Sequence, residues 1–372
     1  METIRPLKIG DLKVKWPIIQ GGMGVGISLS SLAGHVAKEG GIGIISTAQI
    51  GFRELDFSKD PMKANLRAMK TELQKAREIA QGGVVGFNIM VATKNYKEYV
   101  KEAVRCNADV IISGAGLPVD LPEYVKEDSH TKIAPIVSSK KAASVICKMW
   151  DRKYHRVPDF VVMEGPLAGG HLGFSLEHLK DLGADSSQVS VSFQKRKYEE
   201  EITEVLELLQ EYGKRYKKEI PFILAGGIYT HQDVCHALSL GASGVQVGTR
   251  FVTTLECDAP DSYKQEYIKA KEEDIVITKS PVGMPGRAIQ NAFLKSVKEG
   301  KKPEWKHCYQ CLEKCDKVNI PYCITQALIH AATGDVDHAL LFCGSNAYRA
   351  KHLETVKEVM KELTGAIAPV DE

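Results

Sequence analysis

Short apolar runs recur eight times along this chain, and most of them end directly in a glycine-containing turn. Longer segments between them carry apolar residues every three or four positions, which is typical of amphipathic helices. Such alternation favours a closed parallel barrel, a TIM barrel, because an open sheet usually carries one glycine turn after its first strand. Ser28 and Ser30 precede the first helix and have the residue type that caps helix N-termini. The predicted strands are residues 16–20, 43–46, 84–88, 109–113, 133–138, 159–164, 221–225 and 244–247.

The length of the chain leaves room for more than a barrel. It has 372 residues, whereas barrels of this class commonly use about 250. We therefore expect a barrel over residues 1–255 and a helical, cysteine-containing extension over residues 256–372 that packs on it. The last helix of the extension is predicted over residues 348–363, where one face carries Leu353, Val356, Val359 and Met360.

The charge balance argues against two classes of partner. Lys and Arg total 49 against 47 Asp and Glu, a formal net charge of +2, so no overall field attracts nucleic acid or a membrane surface. No apolar stretch reaches the roughly 18 residues of a membrane span, and the N-terminus lacks a signal-peptide core. We therefore expect a cytoplasmic protein, in which the nine cysteines are thiols, metal ligands or redox groups rather than disulfides.

One glycine-rich turn carries a histidine at a position where barrel enzymes bind ligands. Gly169, Gly170 and His171 lie beyond the C-terminal end of the predicted strand 159–164. The loops at that end of the strands converge on one face of a barrel, and the two glycines allow the backbone to approach a flat ligand. His171 is therefore the candidate catalytic residue, and the alternative is an ordinary surface-loop histidine.

Two further turns indicate a phosphate site. The predicted strand 221–225 ends in Gly226 and Gly227, and the predicted strand 244–247 ends in Gly248 and Thr249. These are the seventh and eighth strands, after which barrel enzymes commonly bind phosphate through backbone N–H groups. The two turns together predict a phosphorylated ligand.

Five short motifs resemble those of a known family. They lie at residues 20–24, 86–90, 168–171, 225–228 and 246–251, and they are similar to the motifs of the nitronate monooxygenase (2-nitropropane dioxygenase) family, which includes enoyl-acyl-carrier-protein reductase II. The resemblance covers about residues 10–295 and includes segments at 277–279 and 286–291. One departure is Leu167, at a position where members commonly carry Glu or Gln.

The resemblance implies FMN in a TIM barrel, with His171 as the active-site histidine. It implies that the FMN phosphate lies on Gly226, Gly227, Gly248 and Thr249. It also implies that the isoalloxazine ring contacts the turn formed by Gly22, Met23 and Gly24, together with Asn88, Gly169 and Gly170. In such an enzyme the flavin carries the redox chemistry, and the imidazole holds an anion, donates a hydrogen bond or moves a proton.

Three functions remain open at this point. The first is oxidation of alkyl nitronates with O2, and the second is reduction of enoyl thioesters with NADH or NADPH as a transient co-substrate. The third is a flavin-binding redox sensor that reports through the cysteines of the extension. The expected partner is a small-molecule substrate, with a homodimer as the candidate assembly.

Four cysteines of the extension form a separate motif. Cys308, Cys311, Cys315 and Cys323 have gaps of two, three and seven residues, which resemble the iron–sulfur spacing of flavin barrels such as the 2,4-dienoyl-CoA reductases. A zinc site is the other metal interpretation. Because apolar residues surround the motif, we expect mainly structural thiols, with no metal.

Overall fold

The computed structural model describes residues 4–185, 192–305 and 307–365. Its strands up to the last barrel strand are β1 (Leu7–Ile9), β2 (Leu12–Val14), β3 (Ile18–Gln20), β4 (Ile42–Ser46), β5 (Val84–Met90), β6 (Val110–Gly114), β7 (Lys132–Val137), β8 (Val161–Glu164), β9 (Gly170–His171), β10 (Phe222–Ala225) and β11 (Gly244–Val247). Strands β3 to β8, β10 and β11 form a closed parallel barrel, in which β11 pairs with β3. The TIM-barrel prediction and all eight predicted strands are confirmed.

The core has two parts because successive residues of a strand point to opposite faces. One set, which includes Ile19 and Ile44, packs together with Leu7 of the antiparallel hairpin β1–β2. The alternate set, which includes Ile18 and Ile45, packs with the surrounding helices. Burial of both faces explains why the barrel strands are almost continuously apolar in the sequence.

Helices surround the barrel and continue into the extension. They are α1 (Ser30–Lys38), α2 (Pro61–Ala80), α3 (Tyr96–Arg105), α4 (Leu121–Tyr124), α5 (Lys140–Tyr154), α6 (Leu176–Asp181), α7 (Lys195–Tyr216), α8 (His231–Ser239), α9 (Thr249–Val252), α10 (Asp261–Lys269), α11 (Ala292–Lys298), α12 (Ile324–Thr333) and α13 (Val356–Thr364). Within the described parts of the chain, none of these helices is both long and apolar enough to cross a membrane.

The predicted cap of α1 is wrong. Neither Ser28 nor Ser30 caps this helix, which begins after Leu29 without a side-chain cap from that residue. Instead the carboxylate of Asp258 accepts hydrogen bonds of 2.8–3.2 Å from the backbone N–H groups of Leu29, Ser31 and Leu32. A negative charge is favourable at a helix N-terminus, so this distant carboxylate takes the place of a local serine.

The predicted start of the last helix is also wrong. Residues 347–349 form a 3-10 turn, and α13 begins at Val356. An isolated β-bridge pairs Glu354 with Thr254. It engages the backbone just before α13, where the prediction had placed helical turns. Thr355 and Glu358 form a capping box that fixes the start of α13, since each side chain accepts a hydrogen bond from the other's backbone N–H.

The extension adds an antiparallel sheet that the sequence pattern did not indicate. Strands β12 (Ile275–Lys279) and β13 (Pro285–Ile289) pair with each other, and β13 also pairs with β9, placing Gly286 opposite His171. The buried guanidinium of Arg250 forms ion pairs with Glu354 and with Glu362 of α13. These contacts hold the extension against the barrel, and the domain boundary at residue 255 stays a prediction.

Candidate active site

A cavity of about 240 Å³ opens at the C-terminal ends of the barrel strands. Residues of the turns after β3, β8, β10 and β11 line it, as do residues 342–346 of the extension. A closed barrel brings the ends of distant strands to one face, which explains this convergence. The predicted site residues all line the cavity, and their individual roles stay predictions: Gly22, Met23, Gly24, Asn88, Gly169, Gly170, His171, Gly226, Gly227, Gly248 and Thr249.

Arg287 of β13 fixes the turn that carries His171. Its side chain is only 1% exposed, and its guanidinium donates to the carbonyl oxygens of Pro166 at 2.8 Å, Ala168 at 2.6 Å and Ala184 at 2.5 Å. Burial lowers the pKa of Arg287 to about 10, so the group is still charged at neutral pH. One cation therefore satisfies three carbonyl groups, two of them in the turn between β8 and β9.

Replacement of Arg287 by methionine is expected to lower the free energy of unfolding by about 2–4 kcal/mol. The reason is that the carbonyl oxygens of Pro166, Ala168 and Ala184 lose their buried donor. Urea unfolding of both proteins measures the loss. Arg196→Met is the control, because that side chain is 94% exposed, and its effect should stay within about 0.5 kcal/mol. Equal stability of the two variants would contradict this role for Arg287.

His171 sits at the cavity wall with a fixed ring. Its Nε2 lies 2.7 Å from the Ser280 hydroxyl, which can donate to it or accept from it. The ring also meets Phe342 edge to face, with 4.8 Å between ring centroids. Burial lowers the pKa of His171 to about 4, because the surroundings disfavour the charged form. The imidazole is therefore neutral at physiological pH, and it can donate one hydrogen bond and accept one.

Glu164 is a second titratable group in the same cavity. It is the last residue of β8, and burial raises the pKa of its carboxyl group to about 8. Among the described residues, the buried hydroxyl of Tyr198 has no hydrogen-bond partner, and its pKa is raised by burial and by the charge of Glu164. At neutral pH the carboxyl group is mainly protonated, so it can donate a hydrogen bond into the cavity.

The turns after β10 and β11 have features suited to a phosphate. Gly227 adopts φ +82°, a backbone conformation that favours glycine. Its carbonyl oxygen accepts a hydrogen bond of 2.8 Å from the side-chain amide of Asn346. The hydroxyl of Thr249 accepts a hydrogen bond of 2.9 Å from the backbone N–H of Gly344. Between these contacts, Ser345 lines the cavity, and its hydroxyl is buried without a hydrogen-bond partner in the described part of the chain. A buried hydroxyl of this kind is available for a hydrogen bond to a polar ligand or to a water molecule.

The turn after β3 forms another wall of the cavity. A Cβ on Gly22 would lie 2.3 Å from the Cβ of Asn88, so only glycine allows this close packing. Gln246 lines the cavity, and its side-chain oxygen is buried with no hydrogen-bond partner within residues 4–185, 192–305 and 307–365. At this wall the backbone of Gly22 can lie against a flat ligand, and the side-chain oxygen of Gln246 can accept a hydrogen bond from it.

Sequence reasoning did not identify several polar residues of the site. Ser280 and Arg287 contact residues of the cavity wall from the sheet of β9, β12 and β13. The family resemblance included parts of β12 and β13, but no strand and no role was predicted for them. Gln246 and Glu164 were assigned to strands, and their polar side chains at strand ends were the signal available. The small polar residues Ser345 and Asn346 after Gly344 were a second signal.

The four motif cysteines of the extension also come together. Cys308, Cys311, Cys315 and Cys323 line a second cavity of about 270 Å³, and all four are free thiols. Among the residues that the structure describes, no three His, Cys, Asp or Glu side chains are arranged to hold a metal ion. The prediction that these cysteines are mainly structural stays a prediction.

Comparison with known proteins agrees with the fold. The family model described as nitronate monooxygenase matches residues 5–365. A probable nitronate monooxygenase of Staphylococcus saprophyticus is 25% identical over 310 residues, which cover 78% of this chain and 80% of that protein. FabK from Thermotoga maritima superposes with a TM-score of 0.66 at 23% identity, covering 95% of this chain and 92% of that one. A nitroalkane oxidase from Streptomyces ansochromogenes gives a TM-score of 0.66 at 18% identity, covering 95% of both chains.

Proposed function

Because the chain belongs to the nitronate monooxygenase family, we propose that it is an FMN-dependent oxidoreductase that oxidises alkyl nitronates with O2. The observation that carries the proposal is the neutral imidazole of His171 at a cavity that the glycine turns also line. The similarity to the probable nitronate monooxygenase of Staphylococcus saprophyticus supports the choice of nitronates.

The residues at the cavity fit FMN. The turns at Gly226–Gly227 and Gly248–Thr249, with the unpartnered hydroxyl of Ser345, would hold the phosphate. The Gly22 turn, Asn88 and the unpartnered oxygen of Gln246 would hold the isoalloxazine ring. When bound, FMN would supply the electron transfer and the reaction with O2.

His171 and Glu164 would bind the substrate through hydrogen bonds. A nitronate is already an anion, so the enzyme needs a hydrogen-bond donor more than a base. The neutral imidazole of His171 can donate through one nitrogen, and its contacts with Ser280 and Phe342 hold the ring in place. The protonated carboxyl group of Glu164 is a second donor, and its neutral state at pH 7 avoids repulsion of the anion.

The alternative reaction is reduction of enoyl thioesters with NADH or NADPH. The same donors, His171 and Glu164, could bind a thioester carbonyl oxygen instead of a nitronate. The structural likeness to FabK and to a nitroalkane oxidase has the same TM-score of 0.66, so the fold does not choose between the reactions. Rapid anaerobic bleaching of the flavin by NADH or NADPH would favour the reductase.

The purified protein is expected to be yellow and to release FMN, not FAD, on denaturation. The cavity offers one set of phosphate-binding turns, after β10 and β11, and the sequence indicates no second set for an adenylate. Chromatography of the released flavin against FMN and FAD standards identifies it. A colourless protein that fails to bind added FMN would contradict the cofactor assignment.

Glu164 should make the stability of the flavin-free protein fall as pH rises. Its pKa is raised by burial from the ordinary 4.5 to about 8, so within this window the native state keeps a proton that the unfolded state has lost. The contribution of Glu164 to stability should then decline by up to about 1.4 kcal/mol per pH unit between these two values, whereas the lowered pKa of His171 acts in the opposite direction below pH 6.5. Glu164→Gln should lack this decline in chemical unfolding measured across the window. Glu200→Gln, on a side chain that is 70% exposed, is the control and should follow the native protein. Parallel pH profiles for the native protein and Glu164→Gln would contradict the raised pKa.

A further inference from the structure

The second cavity brings the four motif cysteines together with apolar and charged residues. Besides Cys308, Cys311, Cys315 and Cys323, its lining includes Lys94, Lys317 and Glu313. Cys308 is exposed and the other three are half-buried. A cavity ringed by thiols, with two lysines against one acidic residue, offers ligands for iron and positive charge for an anionic centre.

Hydrogen bonds and an aromatic contact attach the loop of residues 308–315, which carries three of the cysteines, to the barrel. The backbone N–H of Lys94 donates a hydrogen bond of 3.1 Å to the carbonyl oxygen of Cys311. The backbone N–H of Glu313 donates one of 3.0 Å to the carbonyl oxygen of Ala92. The ring of Tyr309 stacks on Phe57 with 5.1 Å between centroids. These contacts hold the cysteine loop at the end of β5, so the cavity does not depend on a ligand for its position.

Two of the cysteines lie beside features that favour a thiolate. Cys308 shares the cavity with Lys94 and Lys317. Cys323 is the N-cap residue of α12, at the positive end of the dipole of that helix. Nearby positive charge favours the anionic sulfur that binds iron.

We propose, in place of the structural role that the sequence led us to expect, that Cys308, Cys311, Cys315 and Cys323 ligate a [4Fe–4S] cluster in this cavity. Each thiol loses its proton and binds one iron atom. Two ferrous ions, two ferric ions and four sulfides from solution form the [4Fe–4S]2+ core, so the assembly needs no further oxidant. A cluster is larger than a single ion, so its ligands surround a cavity and do not converge on one point. This explains how four cysteines can share a cavity although no three described side chains are arranged for one ion.

The cluster would lie beside the candidate active site. Cys311, Leu312 and Ile324 line both cavities, so a single layer of residues separates them. The cluster proposal does not depend on the proposed function, because its ligands and its cavity are separate from the residues assigned to FMN.

The test is metal and sulfide analysis of the full-length protein. The protein is purified without oxygen, incubated with equal amounts of ferrous and ferric iron, with sulfide and with a thiol, and desalted. The expected content is about four irons and four sulfides per chain, with a low-temperature paramagnetic resonance signal after reduction by dithionite. Cys315→Ala and Cys323→Ala should each lose most of the iron and sulfide. Cys235→Ser is the control, because this half-buried cysteine lies on α8 outside the cavity, and it should keep the native content.

Three results would overturn the proposal. One is native protein without iron and sulfide after reconstitution, and another is about one zinc per chain in place of iron. The third is an iron content in Cys315→Ala and Cys323→Ala equal to that of the native protein, since the iron would then lie elsewhere. Circular dichroism and flavin content of each variant separate loss of the cluster from loss of the fold. Because flavin content is measured independently, failure of the cluster proposal and failure of the FMN assignment are distinguishable.

Discussion

Replacement of His171 by alanine is expected to lower turnover of an alkyl nitronate by about a hundredfold to ten-thousandfold, while the protein keeps its fold and its FMN. The ring is held against Ser280 and Phe342 at the cavity wall, where it can donate a hydrogen bond to the substrate. Alanine removes that donor but leaves the glycine turns of the cavity in place. Steady-state kinetics, together with flavin content and thermal melting, measure the effect.

His178→Ala is the matched control for this variant. His178 lies on α6, where its ring contacts Phe174, and replacement should leave turnover close to the native value. The pH dependence of the native enzyme gives a second readout. Because the pKa of His171 is lowered to about 4, the kcat/KM of the native enzyme should show no inflection near pH 6.5, the usual pKa of histidine, that comes from this residue. Full activity of His171→Ala would remove the residue from the mechanism.

Gly248→Asp is expected to weaken FMN binding by about a thousandfold. The backbone of Gly248 has φ −112°, which any residue can adopt, and a Cβ there would meet the Met23 sulfur at an ordinary 3.4 Å. The substitution therefore adds a carboxylate to the phosphate-binding turn with little strain. Two like charges about 4 Å apart near a protein surface repel by about 4 kcal/mol, which gives the expected factor. Flavin titration of the flavin-free protein, followed by fluorescence quenching, measures the dissociation constant.

Gly248→Asn is the control for this charge effect. Asparagine has the size and shape of aspartate without its charge, so this variant should keep most of its affinity for FMN. Equal loss of affinity in both variants would mean that bulk, and not charge, is excluded at this turn. Native affinity in Gly248→Asp would move the phosphate away from Gly248 and Thr249.

The barrel could be predicted from the sequence because its signals are local. Each strand is buried on both faces, which leaves a short, nearly continuous apolar run, and the turn after it needs small residues. For the same reason Gly22, Gly227, Gly248 and Thr249 could be predicted to share one face once the barrel was assigned. The order of the strands then follows the order of the chain.

The residues that support the site depend on contacts that sequence spacing does not reveal. Ser280 meets His171 across 109 residues, and Arg287 reaches the carbonyl oxygen of Pro166 across 121. Asp258 caps α1 from 229 residues beyond Leu29. Each contact satisfies a buried or terminal polar group that local residues leave open, so it can be found only when the elements have packed together.

Oxygen consumption with ethyl nitronate as the sole reductant decides whether this site oxidises nitronates. The protein is loaded with FMN, and no NADH or NADPH is present. We expect O2 uptake that depends on both the nitronate and the flavin, and that is lost in His171→Ala but kept in His178→Ala. Absence of O2 uptake, together with oxidation of NADH or NADPH that depends on an enoyl thioester, would contradict this expectation and assign the site to enoyl reduction.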